Sequence, residues 1–588
     1  MGVLTPCATP PAVGGLEPGT QVDIAPVVWC PAPVSHPPGS RDLRALAARY
    51  DEGAPPEIAP FLRVSQTQAM AGSESETIPG LLDVAVERDA GATWLRADEG
   101  TLTFGGAAGH VARLVERFRD AGVGRGDLVV VTARTTPAYV LCWLALASVG
   151  AVTVPTDPAG TLDELTGLVH QVLPRLIVTD VGLRPVVDEA RRGLAVEVLD
   201  LGVLLGDWTI QVAGARAPLQ GAVGPDDLAV LIPTSGTTGK SKLVMQTHRA
   251  YAMAGVGFPY WMELRAEDRL MTSLPLFHIN APAYSVLGSL AVGAGLVLLP
   301  RFSASGFLDS ARRHRATEFN AIGAMLEILM RQPVRPDDAE TDLRLCYTGP
   351  SPAREWQEAF EERFGLRVVC GYAMSESPYG LIWRHGERPF GTLGSPRQHP
   401  TLGTVNEARV VDDQGRDIAP GEVGELLLRN PTVTPGYWQM PEQTEATVVS
   451  GWLHTGDLVT ADAQGTYTFV SRVKEVLRRR GLNMSPTEVE EAIATHPDVV
   501  EVAVVAVPSE LTEDEVKAFV VAAPDHSLDF EELRAWTGER LSAFKVPRFW
   551  QALDALPRTP TSRVAKHRLP VGHPPDEYDA QPDVRGCD

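Results

Sequence analysis

The stretch with the plainest chemistry is LAVLIPTSGTTGKSKLVMQTHRA, residues 228–250. An apolar strand runs into Thr234-Ser235-Gly236-Thr237-Thr238-Gly239-Lys240. The two glycines let the backbone turn tightly, so its N–H groups can converge on an anion. Four hydroxyls and a lysine add donors, which makes the segment a phosphate cradle. It is not a Walker A loop, which requires glycine five positions before the glycine of its Gly-Lys pair. That position here is Thr234. An ordinary Ser/Thr-rich surface turn has a similar composition.

The elements around this loop alternate. TWLRADEGTLTF reads as a hairpin and GHVARLVERFRDAG as a helix, then DLVVVTA as a buried strand and AYVLCWLALASVGA as a buried helix. Short β-branched runs (VTVP, LIVTD, VEVLDL, GLVLLP, LRLCYTG) keep exchanging with helical patterns, which argues for parallel sheets covered by helices. Residues 270–300 hold no Asp, Glu, Lys or Arg. Their prolines, glycines, His278 and Asn280 fit a buried strand, loop, helix and strand rather than a membrane span. From about residue 404 the pattern turns antiparallel, with Asp-Gln-Gly and Pro-Gly turns. SPTEVEEAIATHP then reads as a helix with Ser485 as N-cap and Glu488 completing a capping box. VVEVAVVAVP, KAFVVAAP and FEELRAWTGERL follow as strand, strand and helix, a small α+β unit.

Composition narrows the function classes. The chain has 588 residues, 44% hydrophobic and 21% charged, an ordinary globular balance. Its 52 basic and 74 acidic residues leave a net charge of −22. Such a surface repels phosphate backbones, so no nucleic-acid partner is expected, and a local pocket for a small anion stays open. Cys7, Cys30, Cys142, Cys346, Cys370 and Cys587 lack metal-site or disulfide-framework spacing, and the N-terminus lacks a secretory signal, so a reducing, cytoplasmic setting is expected. Residues 1–76 are Pro/Gly-rich and read as a largely disordered extension, with one short helix at 41–50.

The loop at 234–239, followed by Lys242 and Thr247-His248, resembles the core signature of the adenylate-forming superfamily: acyl-CoA synthetases, peptide-synthetase adenylation domains and luciferases. Ser241-Lys242-Leu243 stands where that family has Pro-Lys-Gly. Five more segments resemble family motifs in the right order: LPLFHINAP (274–282), CGYAMSES (370–377), GWLHTGD (451–457), SRVKEVLRRRGLNMSPTEVE (471–490) and LPRTPTSRVAKHRL (556–569). The resemblance spans roughly residues 77–570, and its details are most like small-acid or aromatic-acid CoA ligases, including the carnitine- and crotonobetaine-type group.

The resemblance implies an α/β fold. A large AMP-binding N-terminal domain, 77–473, would hold two α/β subdomains and a small β-barrel. A mobile α+β lid domain, 474–588, would close over it. It implies ATP, Mg²⁺ and coenzyme A as cofactors, and adenylation of a carboxylic acid followed by acyl transfer to CoA. With no carrier segment after Asp588, a free acceptor is expected, although a separate carrier protein's thiol is an alternative partner.

The implied residue roles follow. Thr234 to Lys240 cradle phosphate, with Lys242 adding a cation. Glu376 holds Mg²⁺ with Thr234, since a hard cation prefers oxygen. Asp457 accepts both ribose hydroxyls, a task for two carboxylate oxygens. Tyr372 stacks on adenine, with Gly349, Gly371 and Ser375 around the nucleotide. Arg472 reaches the ribose and phosphates, and Lys474 is the hinge. His278 faces the acyl pocket, whose shape depends on packing around His278, Gly323, Gly349 and Ala373. Each has a plainer reading: a solvated loop carboxylate for Glu376, a Gly-Asp turn for Asp457, a core aromatic for Tyr372, a core imidazole for His278, and a solvated basic run for Arg472.

One departure stands out. The lysine that the family uses to bridge carboxylate and α-phosphate falls on Arg563. Arginine keeps the charge but is larger and planar, so the exchange is not conservative. That leaves two alternatives open: ATP-dependent activation of nitrite to diazotise an aryl amine, as in some relatives in secondary metabolism, and a nucleotide-binding homologue without catalysis. Retention of Thr234 to Gly239, Glu376 and Asp457 favours an enzyme.

Overall fold

The helix Pro137–Val149 explains how the large domain is layered. It is apolar on every side, and all its residues but Ala138 are buried. Such a helix has to lie between apolar layers. Thr136 accepts a hydrogen bond from the Tyr139 N–H at its start, and Gly150 ends it in the left-handed region at φ 82°.

The computed structural model describes residues 76–580, apart from 213–222, 235–241, 350, 474–476, 480–481, 509–513, 525, 542–544, 559–563, 571, 573 and 575–576. The expected extension 1–76, with its helix at 41–50, lies outside the described residues except for Glu76. So do Ser235 to Lys240, Lys474 and Arg563. The described residues all belong to one unit, Gly53–Asp588; the other unit, Met1–Glu52, is wholly outside them.

Two α/β sheets build the large domain. The six-stranded sheet runs Glu197–Asp200, Leu176–Thr179, Leu128–Thr132, Val152–Pro155, Leu228–Thr234 and Lys242–Thr247. Its first five strands are parallel and the last is antiparallel. The nine-stranded sheet has a parallel middle of Arg367–Met374, Leu345–Thr348, Glu318–Asn320, Arg269–Thr272, Gly295–Leu298 and Thr93–Ala97. Antiparallel hairpins close both edges. The alternating pattern read from sequence is thus correct for the interior of both sheets. One large core joins them.

The antiparallel unit has five strands: Glu407–Val411, Gly424–Arg429, Val448–Val449, Trp452–Ala461 and Tyr467–Arg472. Its apolar face, with Leu426, Leu428, Leu453 and Val459, packs with Leu381 from the edge hairpin of the large sheet. The C-terminal α+β unit has the four-stranded sheet Val499–Pro508, Asp514–Ala522, Phe549–Ala552 and Tyr578–Asp579, with helices Pro486–Ala494 and Phe530–Arg540.

One local expectation is corrected. Helix Pro486–Ala494 begins after Ser485, but Ser485 makes no side-chain cap. Its hydroxyl donates instead to the Val470 carbonyl at 2.7 Å, and Glu488 pairs with Lys545 at 2.5 Å. Tertiary partners outcompete the local capping box. No described helix is long and apolar enough to cross a membrane.

Candidate active site

The hairpin Arg367–Met374/Ser377–Ile382 carries Glu376 at its tip, where Met374 pairs with Ser377 and only Ser375 and Glu376 lie between. Three contacts fix that tip. Gln246 Nε2 donates to the Ser375 carbonyl at 2.6 Å, the Thr434 N–H to the Glu376 carbonyl at 2.7 Å, and the Tyr437 hydroxyl to Glu376 Oε1 at 2.9 Å. Residues 434–438 lie along the strand Lys242–Thr247: Met245 N–H donates to the Gly436 carbonyl at 2.9 Å and Trp438 N–H to the Leu243 carbonyl at 2.8 Å. The Lys242 ammonium sits 4.7 Å from the Tyr437 ring centroid. Burial pushes the Glu376 carboxyl up from its ordinary value, while the Tyr437 hydrogen bond, Lys242 and Arg472 oppose that.

The phosphate-loop candidate closes a hairpin. Leu228–Thr234 and Lys242–Thr247 pair antiparallel, with Thr234 opposite Lys242 and the Thr234 hydroxyl donating to the Lys242 carbonyl at 3.3 Å. The two ends of the loop are therefore tied, and Lys242 connects it to Tyr437 and Glu376.

A second cluster forms around Asp457, which is 1% exposed on the strand Trp452–Ala461. The Tyr372 hydroxyl donates to its Oδ2 at 2.6 Å. Arg472, directly opposite on the neighbouring strand, brings Nε to 3.0 Å from Oδ1. Burial and the neighbouring Asp457 charge hold the Tyr372 hydroxyl well above its ordinary pKa, so it stays a donor. Each carboxylate oxygen has more than one lone pair, so a diol can share Asp457 with these partners.

The glycines have a packing reason. A Cβ on Gly349 would come within 2.3 Å of the Gly371 carbonyl oxygen, and one on Gly371 within 3.0 Å of the Tyr347 hydroxyl. The two strand ends can approach only without side chains. His278 lies in the loop after Arg269–Thr272, its ring 4.5 Å from that of Phe277. It is on the same carboxyl edge of the sheet as Gly323 and Gly349, the edge where open α/β sheets hold ligands.

The structure thus gathers Thr234, Lys242, Glu376 and Ser375 on one side, and Tyr372, Asp457 and Arg472 on the other. The hairpin 367–382 joins the two sets. Residues not singled out from sequence complete the site. Tyr437, Thr434 and Gln246 hold Glu376. Arg397, fully buried, holds the hairpin itself: its Nε donates to the Leu381 carbonyl at 3.1 Å, and its Nη1 to the Pro378 carbonyl at 3.1 Å and the Tyr284 hydroxyl at 2.8 Å. The only sequence signal for Tyr437 is its place in Pro-Gly-Tyr-Trp, which reads as a turn.

Among the described residues no group of three His, Cys, Asp or Glu could cage a metal. The half-buried Glu376 carboxylate fits Mg²⁺ differently, since that ion is commonly held by one or two carboxylates, substrate phosphates and water.

Residues 82–438 match the AMP-binding enzyme family, and residues 488–563 match the AMP-binding enzyme C-terminal domain. The chain belongs to the AMP-binding enzyme family. Within it, the protein is acyl-CoA-ligase-like. It is 31% identical over 478 residues to a crotonobetaine/carnitine–CoA ligase of Salmonella paratyphi A, covering 78% of this chain and 91% of that one. Among solved structures, this AMP-binding enzyme is similar to ATP-bound MatB from Rhodopseudomonas palustris, at 26% identity and TM-score 0.74, covering 84% of this chain and 98% of that one. The fold is also that of the anthranilate CoA ligase AuaEII in complex with anthranoyl-AMP, at 23% identity and TM-score 0.76, covering 85% and 98%.

Proposed function

We propose that this AMP-forming acid–CoA ligase activates a compact carboxylic acid with ATP and passes the acyl group to CoA. What carries this reading is the pairing of one buried and one half-buried carboxylate with two tasks. Asp457 sits between Tyr372 and Arg472, and Glu376 accepts from Tyr437, whose ring lies beside the Lys242 ammonium.

In the first half-reaction a carboxylate oxygen attacks the α-phosphorus and pyrophosphate leaves. Asp457 accepts the ribose hydroxyls, with the Tyr372 ring beside the base. Thr234 to Lys240 and Lys242 hold the phosphates, and Arg563 bridges the acid and the α-phosphate. Glu376 and Thr234 would hold Mg²⁺, which when bound supplies charge neutralisation on the phosphates and leaving group. In the second half-reaction the CoA sulfur attacks the acyl carbon, the bond to phosphate oxygen breaks, and AMP leaves. We divide the chain at 473/474, with Lys474 as the hinge about which the lid turns between the half-reactions. His278, Gly323 and Ala373 border the acyl group. ATP, CoA and the unpaired, buried Cys142, Cys346 and Cys370 suit a reducing, cytoplasmic setting.

The test is AMP and pyrophosphate release from MgATP over a panel of aryl and short-chain acids with CoA, beside Arg563→Lys. Release that depends on one acid class, with an acyl-CoA product, is expected. ATP binding with no AMP from any acid would remove the ligase reading, and nitrite with aryl amines would be assayed next.

A further inference from the structure

The carboxyl edge of the nine-stranded sheet carries a polar floor that the nucleotide chemistry does not use. Strands Arg269–Thr272, Glu318–Asn320 and Leu345–Thr348 lie side by side, parallel and almost wholly buried. The loops that follow them become half-buried at residues 277–280, 322–324 and 349. A Cβ on Gly323 would meet nothing within 4 Å, so the start of helix Gly323–Met330 borders open space. At Gly349 the opposite holds, since a Cβ would strike the Gly371 carbonyl oxygen. The edge is therefore recessed at Gly323 and walled at Gly349.

Asn320 ends the middle strand, three residues before Gly323, and is 1% exposed. Its Nδ2 donates to Asn280 Oδ1 at 2.8 Å. Its Oδ1 is buried and accepts no hydrogen bond among the described residues. Asn280 is half-buried and lies two residues after His278. A buried carboxamide oxygen without a donor is costly, and a bound molecule that supplies the donor recovers the cost. The amide pair is uncharged. A neutral donor matches it, whereas an ionised substituent would lose its hydration without a counter-charge.

We propose that Asn320, supported by Asn280, determines acyl specificity. The acid that this protein activates carries a hydroxyl remote from its carboxylate, and that hydroxyl donates to Asn320 Oδ1. The proposal rests on the ligase reading and adds the substrate class. Gly323 leaves room for the ring or chain bearing the hydroxyl.

The test measures AMP release with MgATP and CoA over matched acids. One set is benzoate with its 3- and 4-hydroxy and 3- and 4-methyl forms. The other is butanoate, pentanoate and 4-hydroxybutanoate. The two sets separate a ring-borne from a chain-borne hydroxyl. Native protein should favour one hydroxylated acid over its methyl counterpart by about 10-fold or more in kcat/KM, the kind of discrimination a site built for a hydroxyl gives. Asn320→Leu, of the same branched shape and heavy-atom count, should erase or invert that ratio while the KM for ATP stays within about 3-fold, because the nucleotide contacts are elsewhere. Should Asn320→Leu fail to fold, the half-buried Asn280→Ala is read for the same change in ratio. A hydroxyl-to-methyl ratio near one in the native protein, or one that the variants leave unchanged, overturns the proposal and leaves the ligase reading intact. AMP from none of the acids removes both.

Discussion

Tyr372 donates a 2.6 Å hydrogen bond to Asp457 across 85 positions of sequence. The contact ties the edge hairpin of the nine-stranded sheet to the antiparallel unit, so the two side chains that we propose face the base and the ribose are set as one group.

Removing that donor should weaken nucleotide binding without removing the Asp457 carboxylate. We expect Tyr372→Phe to raise the KM for ATP about 3- to 10-fold, the worth of one ordinary hydrogen bond. Asp457→Ala should lower kcat/KM for ATP on the order of 100-fold, since it loses charge-assisted bonds. Steady-state kinetics with ATP varied and acid saturating checks both.

Tyr437 should set the acid side of the pH profile. Burial raises the Glu376 pKa and the Tyr437 hydrogen bond lowers it. Tyr437→Phe removes the lowering contact, so Glu376 stays protonated to higher pH. The acid limb of kcat/KM for ATP should move up by about 0.5–1 pH unit, one hydrogen bond expressed as a shift. The Mg²⁺ concentration for half-maximal rate should rise as well, read by titrating Mg²⁺ at fixed pH.

Glu318 predicts a stability effect remote from the chemistry. It is 0% exposed on a central strand, and its carboxyl oxygens have no hydrogen-bond partner among the described residues. Burial first, then the neighbouring Asp268, hold its pKa well above the usual range. The folded state therefore keeps a proton that the unfolded state releases above about pH 4.5, its ordinary value. This group's contribution to stability is full below that value and is lost as pH rises toward the folded pKa. Glu318→Gln should be nearly neutral at pH 4 and stabilising by about 1–3 kcal/mol at pH 8, the scale of an unsatisfied buried polar group. Thermal melts at the two pH values decide it.

Lys517 predicts the reverse. It is fully buried, donates to the Gly572 carbonyl at 2.8 Å and pairs with Glu577, holding the segment around residues 572–577 against the strand Asp514–Ala522. Lys517→Met leaves Glu577 buried without its cation and should cost about 3–5 kcal/mol. Urea unfolding of the full chain measures it. If the loss were confined to the small domain, limited proteolysis would cut there first.

Local sequence determined the element types and their order. The largely apolar run 137–149 had to be a helix between layers, and the short apolar runs at 128–132, 176–179 and 345–348 had to be buried strands, because periodicity and length leave little else. It also singled out Glu376, Asp457 and the loop at 234–240 as candidates, each beside a plainer reading. Only the tertiary structure decided what surrounds each one. Ser485 looked like a helix cap and instead holds Val470, whose carbonyl the packed chain brings within 2.7 Å of its hydroxyl. Tyr437 was not singled out by its neighbours in sequence, yet it holds Glu376 from 61 positions away. Asn280 and Asn320 meet across 40 positions, a pairing that no local pattern encodes. Local propensity is carried by neighbours in sequence. A buried polar group is satisfied by whatever the packed chain brings within about 3 Å, and that is settled only when the sheets are assembled.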